Sequence, residues 1–402
     1  MKTLLLTNEY PPRVYGGAGV HVDYLSRHLS ERIEVEVRCF GDQDLRKERL
    51  RVRGFPATGK PADFPPNLKS VFDSANRCLG FNEAGIDADL VHCHTWYTHL
   101  GGIFAKLNYG IPLVVTVHSL EPLRPWKREQ LGGGYDFSLW VERTALEMAD
   151  AVIAVSKGTR DDVLRHFRVD PDRVRIVYNG IDTDEFRPVE STGALRANGI
   201  DPERPYVLFV GRIARQKGIV YLVNAIRYLD PGIQVVLCAG APDTPEIAAE
   251  MREAFDSVAR EREDLVWIDR MLPRDQMIEI YSGAALFCCP SIYEPFGIIN
   301  LEAMACATPV VASAVGGIPE VVVHGVTGHL VPVAREETPP YAPVHPDHFA
   351  RDLARPINRL MADPGLREKY GAAGRRRAES TFSWKSIAGE TADLYQSLLP
   401  PA

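Results

Sequence analysis

Short runs rich in Val, Ile and Leu alternate along this chain with longer segments whose apolar residues recur every three or four positions. Runs at 4–7, 35–40, 90–93, 113–117, 151–155 and 175–178 form a first set. Runs at 206–210, 234–238, 265–268, 285–289, 310–312 and 329–331 form a second. Runs so short and so continuously apolar predict strands buried on both faces, and the periodic segments between them predict covering helices. After Gly218, for instance, Ile219, Leu222, Val223, Ile226 and Leu229 share one helical face. Val141, Ala145, Met148 and Ala149 do the same before the run at 151–155. The expected fold is α/β, two doubly wound Rossmann-like domains with parallel sheets. A polar, proline-containing stretch at about 183–205 separates them, which places the domains at 1–188 and 189–382. Ligands of such sheets bind outside the carboxyl ends of the strands, and two sheets face to face would form one deep cleft. The proline-rich stretch 336–346 reads as a surface loop. The tail after Phe382 reads as a helix with Trp384, Ile387 and Leu394 as its apolar contacts.

Composition narrows the class. A length of 402 residues with 45% hydrophobic residues is enough for two or three domains with sizeable cores. The formal net charge of -7 argues against a nucleic-acid partner, although local basic clusters can still hold a phosphate. The first apolar run is too short for a signal-peptide core, and no stretch reaches the ~20 apolar residues that span a bilayer. No stable membrane insertion is therefore expected. Seven cysteines, an odd number, sit mostly inside apolar runs, among them Cys39, Cys93, Cys238, Cys288 and Cys289. That placement predicts buried free thiols in a reducing compartment, hence a cytoplasmic protein.

Candidate chemistry collects just after the expected strands. Tyr15-Gly16-Gly17-Ala18-Gly19 follows the first strand and opens a helix, where backbone can approach an anion closely; alone it could equally be a plain turn. Arg212, Arg215 and Lys217 crowd the turn 211–218. Cations at a helix start oppose the helix dipole, so a bound diphosphate explains them better than solvent does. Glu294 and Glu302 flank Gly297, the first in a loop and the second inside a helix; each could hold sugar or ribose hydroxyls or be a satisfied core acid. His92 and His94 share a strand face, but no second Cys/His pair accompanies them at ligand spacing, so no metal site is expected. The Asp-x-Asp pairs at 42/44, 87/89 and 182/184 are no better evidence for a metal, given so many acidic residues.

Taken in order, these elements resemble the large retaining GT-B glycosyltransferase family that includes bacterial glycogen and starch synthases. The resemblance spans the chain through Gly16-Gly17, His118, Asn179-Gly180-Ile181-Asp182, Arg212 with Lys217 and Glu294-x7-Glu302. It continues through Gly316-Gly317-Ile318-Pro319-Glu320 and Gly325-Val326-Thr327-Gly328. It implies that Arg212 and Lys217 clamp the donor phosphates in place of a metal, and that Glu302 holds the ribose. It further implies that Glu294, with the backbone of Phe296 and Gly297, holds the donor sugar. His118 would stand beside the reaction centre, and Gly16 and Gly17 would cover the phosphates. No cofactor or metal is implied. The family's last helix, here 383–402, returns to the first domain. The stretch 9–21 resembles a shorter, actinobacterial-type branch of glycogen synthases, whose members can form maltose 1-phosphate from ADP-glucose and glucose 1-phosphate. Val14 stands where typical bacterial glycogen synthases carry a lysine two residues before the paired glycines, so that lysine's phosphate contact is absent.

The expected reaction is thus glucosyl transfer from ADP-glucose, with retention, to glucose 1-phosphate or to an α-glucan end. Arg13, Arg124, Lys127 and Arg128 are the cations that could receive an acceptor phosphate. A homodimer is compatible with the resemblance. Two rivals remain open: a glycosyltransferase with a lipid acceptor, prompted by the basic run 45–53, and a nucleotide-sugar epimerase or binding module.

Overall fold

The computed structural model describes residues 1–14, 16–57, 68–240, 242–338 and 340–400. Tyr15, first residue of the glycine-rich patch, and Pro339, within the proline-rich stretch, lie outside them. The chain divides into two units, Met1–Gly180 with Trp384–Ala402, and Ile181–Ser383. The change after Gly180 comes earlier than the sequence pattern places it, because the segment that follows is bound within unit 2. Ile181 N–H donates to Phe382 O, Phe186 is buried, and Arg375 donates to the carbonyls of Thr183 and Phe186.

Unit 1 begins with β1 (Lys2–Thr7), α1 (Gly17–Ser30), β2 (Glu34–Phe40), β3 (Asp44–Arg46) and β4 (Leu50–Phe55). It continues with α2 (Lys69–Glu83), β5 (Leu90–His94), α3 (Trp96–Tyr109) and β6 (Leu113–Val117). Then come α4 (Lys127–Leu131), α5 (Gly134–Met148), β7 (Ala151–Ala154), α6 (Lys157–His166) and β8 (Val174–Ile176). The sheet order is β3-β4-β2-β1-β5-β6-β7-β8, parallel except for β3 against β4. Leu4, Leu5 and Leu6 of β1 are almost fully buried, each contributing roughly 1.5–3 kcal/mol by burial.

Strands β3 and β4 replace the basic run from which a lipid acceptor was inferred. Leu50 and Val52 are buried while Arg51 is exposed, a period of two partly hidden by the charges around it. β3 is the edge strand of this sheet, and charge on an edge strand discourages pairing with other chains. Among the described residues, no helix is long and apolar enough to cross a membrane.

Unit 2 opens with α7 (Gly193–Ala197), β9 (Tyr206–Arg212), α8 (Ile219–Ala225), β10 (Gln234–Gly240) and α9 (Pro245–Ala259). Next are β11 (Leu265–Ile268), α10 (Arg274–Gly283), β12 (Leu286–Cys289), α11 (Ile298–Ala305) and β13 (Val310–Ser313). The unit closes with α12 (Ile318–Val321), β14 (Gly328–Val331), α13 (Pro346–Ala362) and α14 (Pro364–Thr381). Its six strands are all parallel, in the order β11-β10-β9-β12-β13-β14. On either side of Pro339, Glu336 N–H donates to Ala342 O, and Val344 N–H donates to Ala334 O.

The last helix, α15 (Trp384–Ser397), belongs to unit 1. Trp384 stacks on Tyr24 of α1 at 5.6 Å, and a Cβ at Gly180 would come within 2.5 Å of its ring. Ile387 is buried in the same core, and Leu394 packs against it. All seven cysteines are free and buried.

Candidate functional site

Each sheet has a topological switch point, where strand order reverses and crossovers leave in opposite directions. In unit 1 it lies between β1 and β5, and in unit 2 between β9 and β12. Residues singled out in the sequence flank both points, and each unit can be built separately.

In unit 2 the loop after β9 turns back toward the end of β12. Gly218 makes that approach feasible. Its φ is +62°, and a Cβ there would sit 2.1 Å from Pro290 O. Ile292 N–H then donates to Gln216 O at 2.9 Å. Lys217 Nζ is thereby held 2.6 Å from Glu294 Oε2, both side chains largely buried. Gly316, at φ +53°, passes so close to Glu294 O that only glycine fits, and Gly317 N–H donates to that carbonyl at 3.0 Å. The Gly316-Gly317 motif thus fixes the backbone of Glu294. Arg215 and Lys217 sit in the short 3-10 turn of this loop, outside α8 itself.

Arg212 ends β9 and pairs with Asp243, whose side chain is almost fully buried. The sequence reading missed Asp243. Its only signal is position, since it follows β10, the neighbour of β9. A diphosphate entering here meets two cations already aligned by carboxylates and must share or displace those partners.

Gly297 caps α11 at φ +97°, and Asn300 lies directly beneath it, its Nδ2 only 2.5 Å from where a Cβ would stand. Asn300 is fully buried, and neither side-chain polar atom has a partner among the described residues. The sequence reading missed it too, because nothing in the local pattern distinguishes it from a core residue. The ring of Phe296 is buried near Phe382, so only its backbone can serve a donor. Glu302 on α11 accepts a 2.9 Å hydrogen bond from Tyr281 OH on α10. Burial raises its pKa to about 7, against the opposing pull of Tyr281, Arg274 and Lys217.

In unit 1, Gly16 caps α1 in an extended conformation, and its N–H donates to Glu9 Oε2 at 2.7 Å. Gly19 lies against the same glutamate, where a Cβ would come within 2.8 Å of Glu9 Cβ. Glu9 therefore holds the glycine-rich turn that follows Tyr15, and it did not feature among the expected site residues. Gly17 is the first residue of α1. Thr95, at the end of β5, has φ +67°, rare for a threonine, and donates from Oγ1 to Asn8 Oδ1 at 2.8 Å. This strain sits at the switch point, where backbone strain commonly accompanies function.

His118 follows β6 and is half-buried. Its Nε2 is 3.0 Å from His94 Nδ1, and its ring is 4.8 Å from that of His21. His21 Nδ1 meets Asn179 Oδ1 at 2.6 Å, and Trp384 supports the His21 ring edge-on at 5.2 Å. His92 does face the same side as His94, with ring centres 4.2 Å apart. Both of its nitrogens are engaged, however, with Tyr395 OH at 2.5 Å and Thr116 Oγ1 at 2.7 Å, which removes it as a metal ligand. Burial lowers the pKa of His21 to about 4 and of His99 to about 3, and holds His92, His94 and His118 well below the usual value. All five are neutral imidazoles at pH 7.

The four cations expected to receive an acceptor phosphate differ in their partners. Arg13 pairs with Asp42 at the exposed rim, and Arg124 with the buried Glu121. Arg128 makes two bonds to Asp136 and lies over the Tyr135 ring. Lys127 opens α4. Arg77 on α2, not foreseen, has its pKa lowered by burial and by the like charge of Arg13. The Asp-x-Asp pairs serve structure: Asp42 binds Arg13, Asp87 and Asp89 bind Lys2, and Asp182 accepts from the amides of Asp184 and Glu185.

Known proteins fit this arrangement. Residues 15–185 match the family described as Glycosyltransferase Family 4, and residues 194–338 match Glycosyl transferases group 1. The α-maltose-1-phosphate synthase of Mycolicibacterium smegmatis is 50% identical over 410 residues, covering 99% of this chain and 100% of the relative. That of Mycobacterium tuberculosis is 49% identical over 402 residues, with 99% and 100% covered. Among solved structures, sucrose-phosphate synthase from Thermosynechococcus elongatus aligns with a TM-score of 0.80 at 26% identity, covering 99% of both chains.

Proposed function

Because the chain belongs to the GT-B glycosyltransferases of the α-maltose-1-phosphate synthase branch, we propose that it transfers glucose from ADP-glucose to glucose 1-phosphate, forming maltose 1-phosphate with retention at the anomeric carbon. The observation that carries this reading is the 50% identity to such a synthase, maintained over the full length of both chains. An α-glucan end is the secondary acceptor.

Unit 2 takes the donor in this reading. Arg212 and Lys217 stabilise the diphosphate as the bond from C1 to its oxygen breaks. Oriented cations perform the work that a metal would otherwise perform, so the reaction needs no cofactor. Glu302 receives ribose hydroxyls, and Glu294 with the amides at Phe296 and Gly297 receives the glucose. The incoming hydroxyl forms the new bond to C1 and gives its proton to the departing phosphate oxygen on the same face. Charge and proton balance without a protein nucleophile. Neutral His118 can donate or accept a hydrogen bond at the sugar without adding charge.

Incubation with ADP-glucose, UDP-glucose or GDP-glucose, each with and without glucose 1-phosphate, tests the donor and the reaction class. The reading predicts transfer with ADP-glucose only when an acceptor is present. Conversion of the nucleotide sugar without an acceptor would mark an epimerase or hydrolase and contradict it.

A further inference from the structure

Three imidazoles on separate elements of unit 1 converge: His21 on α1, His94 at the end of β5, and His118 after β6. One ring nitrogen of each lies within 4.8 Å of the other two. His21 Nδ1 faces the carbonyl oxygen of Asn179 at 2.6 Å, so that nitrogen carries the proton and Nε2 carries a lone pair. His21 Nε2 is buried with no partner among the described residues. An unpartnered buried nitrogen costs stability unless something binds it. A histidine whose outer N–H is held by a carbonyl is the usual arrangement behind a metal ligand.

We propose that His21, His94 and His118 form a binding site for a late first-row divalent cation such as Zn2+, with solvent as fourth ligand on the His118 side. Three imidazoles and no carboxylate favour Zn2+, Ni2+ or Cu2+ over Mg2+ or Mn2+. Zinc–nitrogen bonds of about 2.0–2.1 Å set the tetrahedron edge near ~3.3 Å. His94 Nδ1 and His118 Nε2 already stand 3.0 Å apart, close to that edge. The proton now shared between those two rings moves to an outer nitrogen or to solvent on binding. His92 plays no part, since both its nitrogens are engaged. Occupation would withdraw His118 from glucosyl transfer, so zinc would inhibit. That consequence rests on the proposed function, whereas the site itself does not.

Equilibrium dialysis of the chelator-treated full chain against Zn2+, with the visible spectrum of the Co2+ form, tests the site without reading activity. The rival histidine pairs lie in unit 2, at His324/His329 and His345/His348. One zinc per chain is expected, with an intense tetrahedral cobalt spectrum. His21→Gln and Asn179→Ala should each weaken binding by ~10-fold or more, as losing a ligand or its outer partner does. The double variant His345→Gln/His348→Gln should bind as the parent does. Absence of stoichiometric zinc, a weak octahedral cobalt spectrum, or loss of binding only in the unit 2 variant would overturn the proposal. Should His21→Gln fail to fold, the cobalt spectrum of the parent chain decides. A failure here leaves the glucosyl-transfer reading standing.

Discussion

Lys217 Nζ and Glu294 Oε2 stand 2.6 Å apart, tying the loop after β9 to the loop after β12. Two residues 77 positions apart are thereby aligned at one switch point. In the reading given above, one belongs to the leaving phosphate and the other to the sugar, so the pair spans the bond that breaks.

Removing either clamp cation should cost catalysis more than folding. Arg212→Ala and Lys217→Ala should each lower kcat by about 10²–10³, the usual effect of losing one group that stabilises transition-state charge. Steady-state kinetics on variants with parental circular dichroism check this. Near-normal turnover in the folded double variant would refute the clamp.

Glu302 links donor binding to pH. Its carboxyl is held at about 7 by burial, with Tyr281, Arg274 and Lys217 pulling it down and Glu185 pushing it up. The carboxylate accepts hydroxyl bonds at both oxygens, so donor KM should fall as pH rises from 6 to 8. Glu302→Gln should raise donor KM more than it lowers kcat, and should flatten this dependence. A pH-independent KM in the parent, or a kcat effect alone in the variant, would remove Glu302 from the ribose.

Gly218 is a backbone requirement of the site. Gly218→Ala puts a Cβ 2.1 Å from Pro290 O at a φ of +62°. The strain should cost about 1–3 kcal/mol of stability. Activity should fall with it, because Lys217 loses its position beside Glu294. Thermal melts and kinetics together check this; a variant with parental Tm and turnover would show that the approach to β12 does not position the lysine.

Acid should weaken unit 1. His21, His92, His94, His99 and His118 all have pKa values lowered by burial. Once pH falls below 6.5 the unfolded chain binds protons that the folded chain refuses, so stability is lost progressively. In unit 1, Glu142, raised by burial, acts in the opposite sense as one carboxyl against these histidines. Tm should therefore fall between pH 7 and 5. His99→Leu, which removes a histidine whose two ring nitrogens have no partner among the described residues, should make that fall shallower. An equal slope in the variant would contradict the assignment.

Much of this was legible in the sequence. Most strands of both units show as short apolar-rich runs, because central parallel strands are buried on both faces. Strands β3 and β4 escaped because arginines on an edge mask the alternation of Leu50 and Val52. Glycines 218, 297 and 316 lie in motifs that sequence alone marks, but what they stand against, backbone for Gly218 and Gly316 and side chains for Gly297, is brought near by the fold. Asp243 was missed because its pairing with Arg212 joins distant segments and leaves no local pattern, and Asn300 because it looks like any core position of its helix. His21 sits inside an amphipathic helix, where a buried histidine looks like any core position.

The acceptor is where the account is most exposed. ADP-glucose offered separately with glucose 1-phosphate and with glycogen, with products identified and kcat/KM compared, measures it directly. The account predicts maltose 1-phosphate as the main product and a higher kcat/KM for glucose 1-phosphate. A higher kcat/KM for glycogen, with no maltose 1-phosphate formed, would contradict it and leave a simple chain-extending synthase.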